Sequence, residues 1–203
     1  MIQLRAPACY DIWRIKEVSF MKKYGSILQA ILPTIIGAFM LLLYMNLLNG
    51  QGAALALGII GVIVAAYYIV SGIVDSLLGA SKSNITGIIK KLNVVVFPAF
   101  MFVSFLIAVI NGANALSPTG WVIAILSLVA SIGFALFMSF GWAAKSSVLI
   151  KVATMLGVLF ILSLALTIFF DYTGSPNALG DIGLAETVVY VLYTIMAVSA
   201  LGE

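Results

Sequence analysis

The chain has 203 residues, 64% of them hydrophobic and 8% charged, with a mean hydropathy of +1.22 and a formal net charge of +3. Soluble domains carry about a quarter charged residues, so a water-soluble globule is excluded. With no His and a single Cys, Cys9, the inventory also excludes internal disulfides, Cys/His zinc sites and histidine general bases.

Residues 1–24 form a mixed-charge tail, expected on the cytoplasmic side. They lack the arrangement of a cleavable signal peptide, and the apolar run that follows is long enough to span, so helix one is expected to be its own insertion signal. Within the tail, Ile12, Trp13, Ile15 and Val18 admit a short surface helix. The polar and apolar residues do not separate onto two faces, however, which favours an irregular extension.

From residue 25 onward the chain predicts an all-α, polytopic membrane helix bundle. Two uncharged runs, Gly25 to Val74 and Leu92 to Ala144, are each long enough for two spans of roughly 20 residues. Val152 to Phe170 and the stretch after Glu186 add one span each. The six transmembrane helices are placed at residues 25–48, 53–80, 92–111, 118–143, 147–170 and 183–201. Three connections, Asn49 to Gly52, Asn111 to Gly120 and Asp171 to Ile182, contain no Lys or Arg and are rich in turn-forming residues. All ten basic residues fall on the other side, which the positive-inside rule assigns to the cytoplasm with both termini. The net charge then reflects topology and gives no ground for nucleic-acid binding. Short loops and the lack of an exterior domain point to a plasma membrane, in particular a bacterial inner membrane.

Helix four begins at Pro118, where a missing N–H costs nothing, and carries Trp121 and Trp142 near its two ends as interfacial anchors. Pro33 and Pro98 lie inside the runs of helices one and three and are expected to bend them.

The chain reads as three successive hairpins. Lys22-Lys23, Pro33 and Asn49-Gly50 of the first correspond to Lys90-Lys91, Pro98 and Asn111-Gly112 of the second, a period of about 60 to 68 residues. An N-in series of hairpins would produce part of this correspondence without any repeat. In helix two, Ala54-Leu-Ala-Leu-Gly-Ile-Ile-Gly61 runs into Val70-Ser-Gly-Ile-Val-Asp-Ser-Leu-Leu-Gly-Ala80. This resembles the glycine-spaced second helix of the HdeD-type membrane proteins, a loosely defined bacterial family of three two-helix repeats. The resemblance implies a membrane location and an association with stress and acid tolerance, without a defined chemistry.

Ionisable residues inside a bilayer are expensive, and each is a functional suspect. Asp75, on one face with Ser71, Gly79 and Lys82, is either part of a proton or cation relay or an interfacial carboxylate paired with a cytoplasmic lysine. Lys151 sits in the first turns of helix five, from which its stem can snorkel. Glu186 lies in the first turn of helix six, where the helix dipole favours a carboxylate; with Asp171 and Asp181 it forms an acidic group or a solvated loop end. Tyr67 and Tyr68 lie mid-helix, and Tyr190, Tyr193 and Thr194 mark a stripe below Glu186. Buried phenols need partners that lipid lacks, so either a lined path or ordinary interhelical bonding accounts for them. A candidate polar path therefore comprises Asp75, Tyr67, Tyr68, Lys151, Glu186 and Tyr190.

The candidate packing face comprises Gly58, Gly61 and Ala65 of helix two with Ser127, Ser131, Ala135 and Ser139 of helix four. Small residues four apart let backbones approach closely in lipid. These faces are expected to pack against each other within the bundle, with a partner surface as the sharper alternative.

No phosphate-binding loop, nucleophile elbow or metal-ligand cluster occurs, so no catalytic, cofactor or metal residue is expected. Asn84-Ile-Thr86 matches a glycosylation pattern on the side where no glycan is added. Two function classes compete. The first is a non-enzymatic membrane subunit or scaffold that self-associates or binds a membrane partner, with the bilayer as its environment. The second is a small transporter or channel using Asp75, Glu186 and the tyrosines. A membrane enzyme is a distant third, because its chemistry would rest on carboxylates and tyrosines alone.

Overall fold

The computed structural model describes residues 30–78, 84–110, 117–174 and 183–201. The described residues are helical apart from short connections. Helix α1, described over residues 30–45, closes with the single 3-10 turn Asn46–Asn49. It is followed by α2 (Ala53–Leu78), α3 (Asn84–Ile110), α4 (Pro118–Ala144), α5 (Ser147–Tyr172) and α6 (Leu184–Leu201). Five segments, from Ala30–Asn49 to Ser147–Tyr172, are long and apolar enough to cross a membrane, and a shorter apolar helix spans Leu184–Ser199. This is the architecture of a multi-pass membrane helix bundle. The tail and the pairing of Asp75 with Lys82 lie outside the described residues, as does Asp181.

Local chemistry sets the helix ends. Ser117 accepts a hydrogen bond from the Gly120 N–H at 3.1 Å, and Pro118 occupies the first turn of α4. The α4–α5 connection is only two residues long: Lys145 takes a left-handed φ of 50°, and Ser146 then caps α5 through the Leu149 N–H at 3.4 Å. The Ser146 N–H bonds back to the Gly141 carbonyl at 3.0 Å, a closure typical of helices that end in a left-handed residue. Gly52, with φ of 59°, supplies the same conformation where α1 turns into α2.

Helix α3 departs from expectation. It begins at Asn84 instead of residue 92, so Asn84-Ile-Thr86 opens a helix. The apolar run stops at Lys91, but Lys and Ile sustain a helix well enough for it to project beyond that run. The Lys91 Nζ lies 5.4 Å from the centre of the Trp142 ring, so this end of α3 is held against the last turn of α4. Lys90, Lys91, Lys145 and Lys151 accordingly mark one end of the bundle, called the basic end below.

Sequential helices pack on one another from α2 to α5, and α6 returns to lie mainly on α3 with a smaller contact on α5. One core draws on all six helices, including Ile36, Tyr68, Phe97, Ala130, Phe160 and Tyr193. Large apolar side chains face outward on every helix, among them Leu42, Ile63, Ile88, Phe140, Met155 and Val198. Lipid accepts such a surface, because it offers no hydrogen bonds and asks for none.

Candidate functional site

The small residues are spent inside the bundle. A side-chain carbon at Gly37 would meet the Ala65 carbonyl at 2.6 Å; one at Gly58 would meet the Leu48 N at 3.0 Å, and one at Gly61 would meet the Tyr44 ring. Gly58, Gly61 and Ala65 therefore seat α1 on α2. On α4, Ser127 and Ser131 are buried, Ala135 is half-buried and Ser139 is exposed. The Ser127 hydroxyl donates to Ser163 Oγ of α5 at 2.8 Å, and the ring of Phe134 fills the space beside Gly157. The two small-residue faces thus meet α1 and α5, their neighbours in sequence, and not each other.

Most hydroxyls bond the carbonyl three or four residues back in their own helix, as Ser76, Thr154 and Thr194 do. Two phenols do something different. Proline at position 98 carries no N–H, so the Val94 carbonyl one turn earlier loses its helical donor. The Tyr193 hydroxyl of α6 donates to that carbonyl at 2.8 Å. One residue earlier, the Tyr68 hydroxyl of α2 donates to the Asn93 carbonyl at 2.6 Å. The donor missing at Pro98 and the partners wanted by the tyrosines are therefore parts of one arrangement, in which α2 and α6 clasp α3.

Below that clasp, toward the basic end, lies a group of buried polar side chains. Asp75 is 2% exposed, and its Oδ1 has no hydrogen-bond partner. Asn93 is also 2% exposed, and neither its amide nitrogen nor its amide oxygen is bonded. Ser71 is buried beside them, donating to the Tyr68 carbonyl at 3.0 Å. Lys90, one turn before Asn93, lies within electrostatic range of Asp75. Unsatisfied buried polar groups are rare enough in native proteins that each needs an explanation.

A second polar group lies at the opposite end. Glu186 is half-buried, within electrostatic range of Tyr44 on α1, Tyr190 on α6 and Asp171 on α5. Glu186, Tyr190 and Tyr193 succeed one another along one face of α6, at the i, i+4, i+7 spacing of a helical stripe. An aromatic layer separates the two polar groups. Phe97 stacks on Tyr193 with ring centres 4.4 Å apart, and Tyr190 and Phe160 close in edge-on at 6.1 Å from Phe97 and Tyr193 respectively.

Asp75, Tyr68, Glu186 and Tyr190 thus fall along one column through the bundle. Tyr67 contacts the ring of Tyr68 edge-on at 5.5 Å, with its hydroxyl buried and unbonded. Lys151 is exposed on α5 and stands outside the column. The chain matches no protein-family model, no curated protein and no solved structure.

Asn93 and Tyr44 belong to the column and escaped the sequence-based list. An uncharged Asn in an otherwise apolar run, five residues before a helix-interior proline, was the available signal for Asn93. Nothing local singles out Tyr44, which joins the site only because the fold brings it within electrostatic range of Glu186 and Tyr190.

Proposed function

We propose that this chain is a six-span, N-in/C-in protein of the plasma membrane, in particular a bacterial inner membrane, that translocates a small ion as a carrier. Asp75 is its ion-binding group. The observation that carries this is the state of Asp75: a carboxylate 2% exposed, with an unbonded oxygen, in a bundle whose outer surface suits lipid. A buried charge without compensating bonds is costly, and intramembrane carboxylates mark ion pathways and proton relays.

The second polar group around Glu186 supplies the other end of a pathway. The aromatic layer between them supports a carrier over an open channel, since the stacked rings of Phe97 and Tyr193 lie between the two polar groups. The rival role in assembly draws on small-residue faces, and Gly58, Gly61, Ala65, Ser127 and Ser131 face other helices of the same chain. Self-association or capture of a membrane partner would therefore have to use other surfaces. We assign the chain no catalytic role, cofactor or nucleic-acid partner. We keep its place among the HdeD-type proteins it resembles as part of the proposal, on the three-hairpin pattern of its sequence.

The test is reconstitution into liposomes with imposed gradients of H⁺, Na⁺ or K⁺. Flux that falls to the empty-vesicle level in Asp75→Asn and declines in Glu186→Gln supports the proposal; flux unchanged in Asp75→Asn removes it. Topology is tested separately with single cysteines. An impermeant thiol reagent should label positions 114 and 175 in intact cells and spare position 83, and labelling at 83 would overturn the six-span, N-in arrangement.

A further inference from the structure

We propose that the ion held at Asp75 is a proton, shared between its carboxyl group and the Asn93 side-chain amide, and not a dehydrated alkali cation. This rests on the reading of Asp75 as the ion-binding group of a carrier.

The register of α2 and α3 places the two side chains on facing stretches of neighbouring helices, not yet hydrogen-bonded to each other. These helices are antiparallel neighbours, fastened where the Tyr68 hydroxyl meets the Asn93 carbonyl. Asp75 lies two turns along the same face of α2, toward the basic end and within electrostatic range of Lys90. Side chains on a helix tilt toward its N-terminus. In an antiparallel pair, Asp75 therefore leans toward the level of Asn93, and Asn93 leans toward Asp75. Three buried polar atoms, Asp75 Oδ1, Asn93 Oδ1 and Asn93 Nδ2, are left without protein partners there.

The chemistry of Asn suits both protonation states of an acid. Its N–H donates to an ionised carboxylate, and its carbonyl oxygen accepts from a protonated one. A partner meant only to hold a permanent carboxylate needs no acceptor. The change is a simple one: the carboxylate takes up H⁺ to become a neutral acid, whose new O–H donates to Asn93 Oδ1. Among the described residues, the charged and polar groups around it are few. Lys90 faces Asp75 from α3, Thr34 of α1 lies against Gly72 one turn away, and the Tyr193 hydroxyl of α6 is committed to Val94.

The oxygen supply argues against an alkali cation. Carriers that bind one typically use backbone carbonyls released by broken helices, and a hard cation stripped of water takes roughly six or more oxygens. Here the carbonyl released by Pro98 is capped by Tyr193, the adjacent Asn93 carbonyl by Tyr68, and the Tyr68 carbonyl by Ser71. Among the described residues, the carboxylate, the Asn93 amide oxygen and the hydroxyls of Ser71 and Thr34 remain, fewer than such a cation takes.

Infrared difference spectra of the full chain in lipid nanodiscs, acidic minus neutral, read protonation directly and require no transport. The wild type should show a protonated-carboxyl C=O band that is lost in Asp75→Asn and persists at an altered position in Asp75→Glu. Asn93→Leu, of similar shape, should move the band to higher frequency as its hydrogen bond disappears. Replacing choline chloride by sodium chloride should leave the titration midpoint in place. A band unaffected by Asp75→Asn, or one indifferent to Asn93→Leu, overturns the proton site; so does a midpoint displaced by sodium. The liposome assay fails independently: with no flux but an intact Asp75 band, translocation is lost and the proton site stands, whereas Asp75-dependent sodium flux leaves translocation and removes the proton.

Discussion

If the Tyr193 hydroxyl replaces the donor that Pro98 lacks, its energetic contribution must depend on Pro98. Tyr193→Phe removes one oxygen from a residue that is 0% exposed and leaves the Val94 carbonyl with no donor. An orphaned buried acceptor costs about 1–3 kcal/mol. Interhelical hydrogen bonds in membranes average nearer 0.6 kcal/mol, with a maximum of roughly 1.7, because the separated helices usually find other partners. This carbonyl finds none, since the proline is still there when α3 stands alone in lipid. The loss should therefore approach the upper figure, about 1.5 kcal/mol. Pro98→Ala supplies the missing N–H. In that background Tyr193→Phe should cost about 0.5 kcal/mol, which leaves a coupling near 1 kcal/mol. Whatever Pro98→Ala does to the shape of α3 cancels in the cycle. Reversible unfolding of the four proteins in mixed detergent–lipid micelles measures it, and equal costs of Tyr193→Phe in both backgrounds would refute the reasoning.

Gly37→Ala should destabilise the chain by about 1–3 kcal/mol, because the added carbon meets backbone atoms of Ala65 and Ile69 at 2.6 and 2.8 Å; wild-type stability in the same unfolding assay would show that α1 does not seat on α2 as described. Ser127→Ala keeps the close approach of α4 and α5 and loses only the bond to Ser163, so a cost of about 0.6 kcal/mol is expected, against about 1–3 kcal/mol for Ser127→Leu, which overpacks the contact. Lys91→Gln should cost no more than about 0.5–1 kcal/mol by removing the cation from the Trp142 face, and a Trp142 fluorescence spectrum unmoved by this substitution would contradict the contact.

The helices α2, α4, α5 and α6 were legible because their bounds are written in local chemistry. Long uncharged runs fix their bodies, and Ser117-Pro118 and Lys145-Ser146 fix two of their ends. The same criterion misplaced the start of α3, because Lys90 and Lys91 end an apolar run without ending a helix. Of the small residues, Gly58, Gly61, Ala65, Ser127 and Ser131 turn inward while Ser139 is exposed, and none of them named its partner: Gly61 signals that some helix comes close and says nothing about which. For the polar column, each carboxylate and most phenols stood out individually. Their convergence did not, because it depends on α6 returning to α3 across a separation of 99 residues, the distance in sequence between Tyr193 and Val94. Asn93 was passed over for the same reason, since an amide becomes conspicuous only once its surroundings are known to offer it nothing.

The carrier proposed above would have to move at one layer of the bundle. An ion at Asp75 reaches Glu186 only past the stacked rings of Phe97 and Tyr193, and Tyr193 is held in that stack by its bond to the carbonyl released by Pro98. Its ring position and the shape of α3 at Pro98 are consequently one variable. Bending α3 at Pro98 carries the Val94 carbonyl away from the hydroxyl, and the stack loses the bond that orients it. Opening need not break any complete helical hydrogen bond, because the bond that yields lies between α6 and a carbonyl the helix cannot use. A proline in place of an ordinary residue thus lowers the cost of bending at the layer that separates the two polar groups. The same logic predicts that Pro98→Ala, by returning that carbonyl to the helix, slows flux while leaving the protonation of Asp75 in place; unimpeded flux in this variant would put the gate elsewhere.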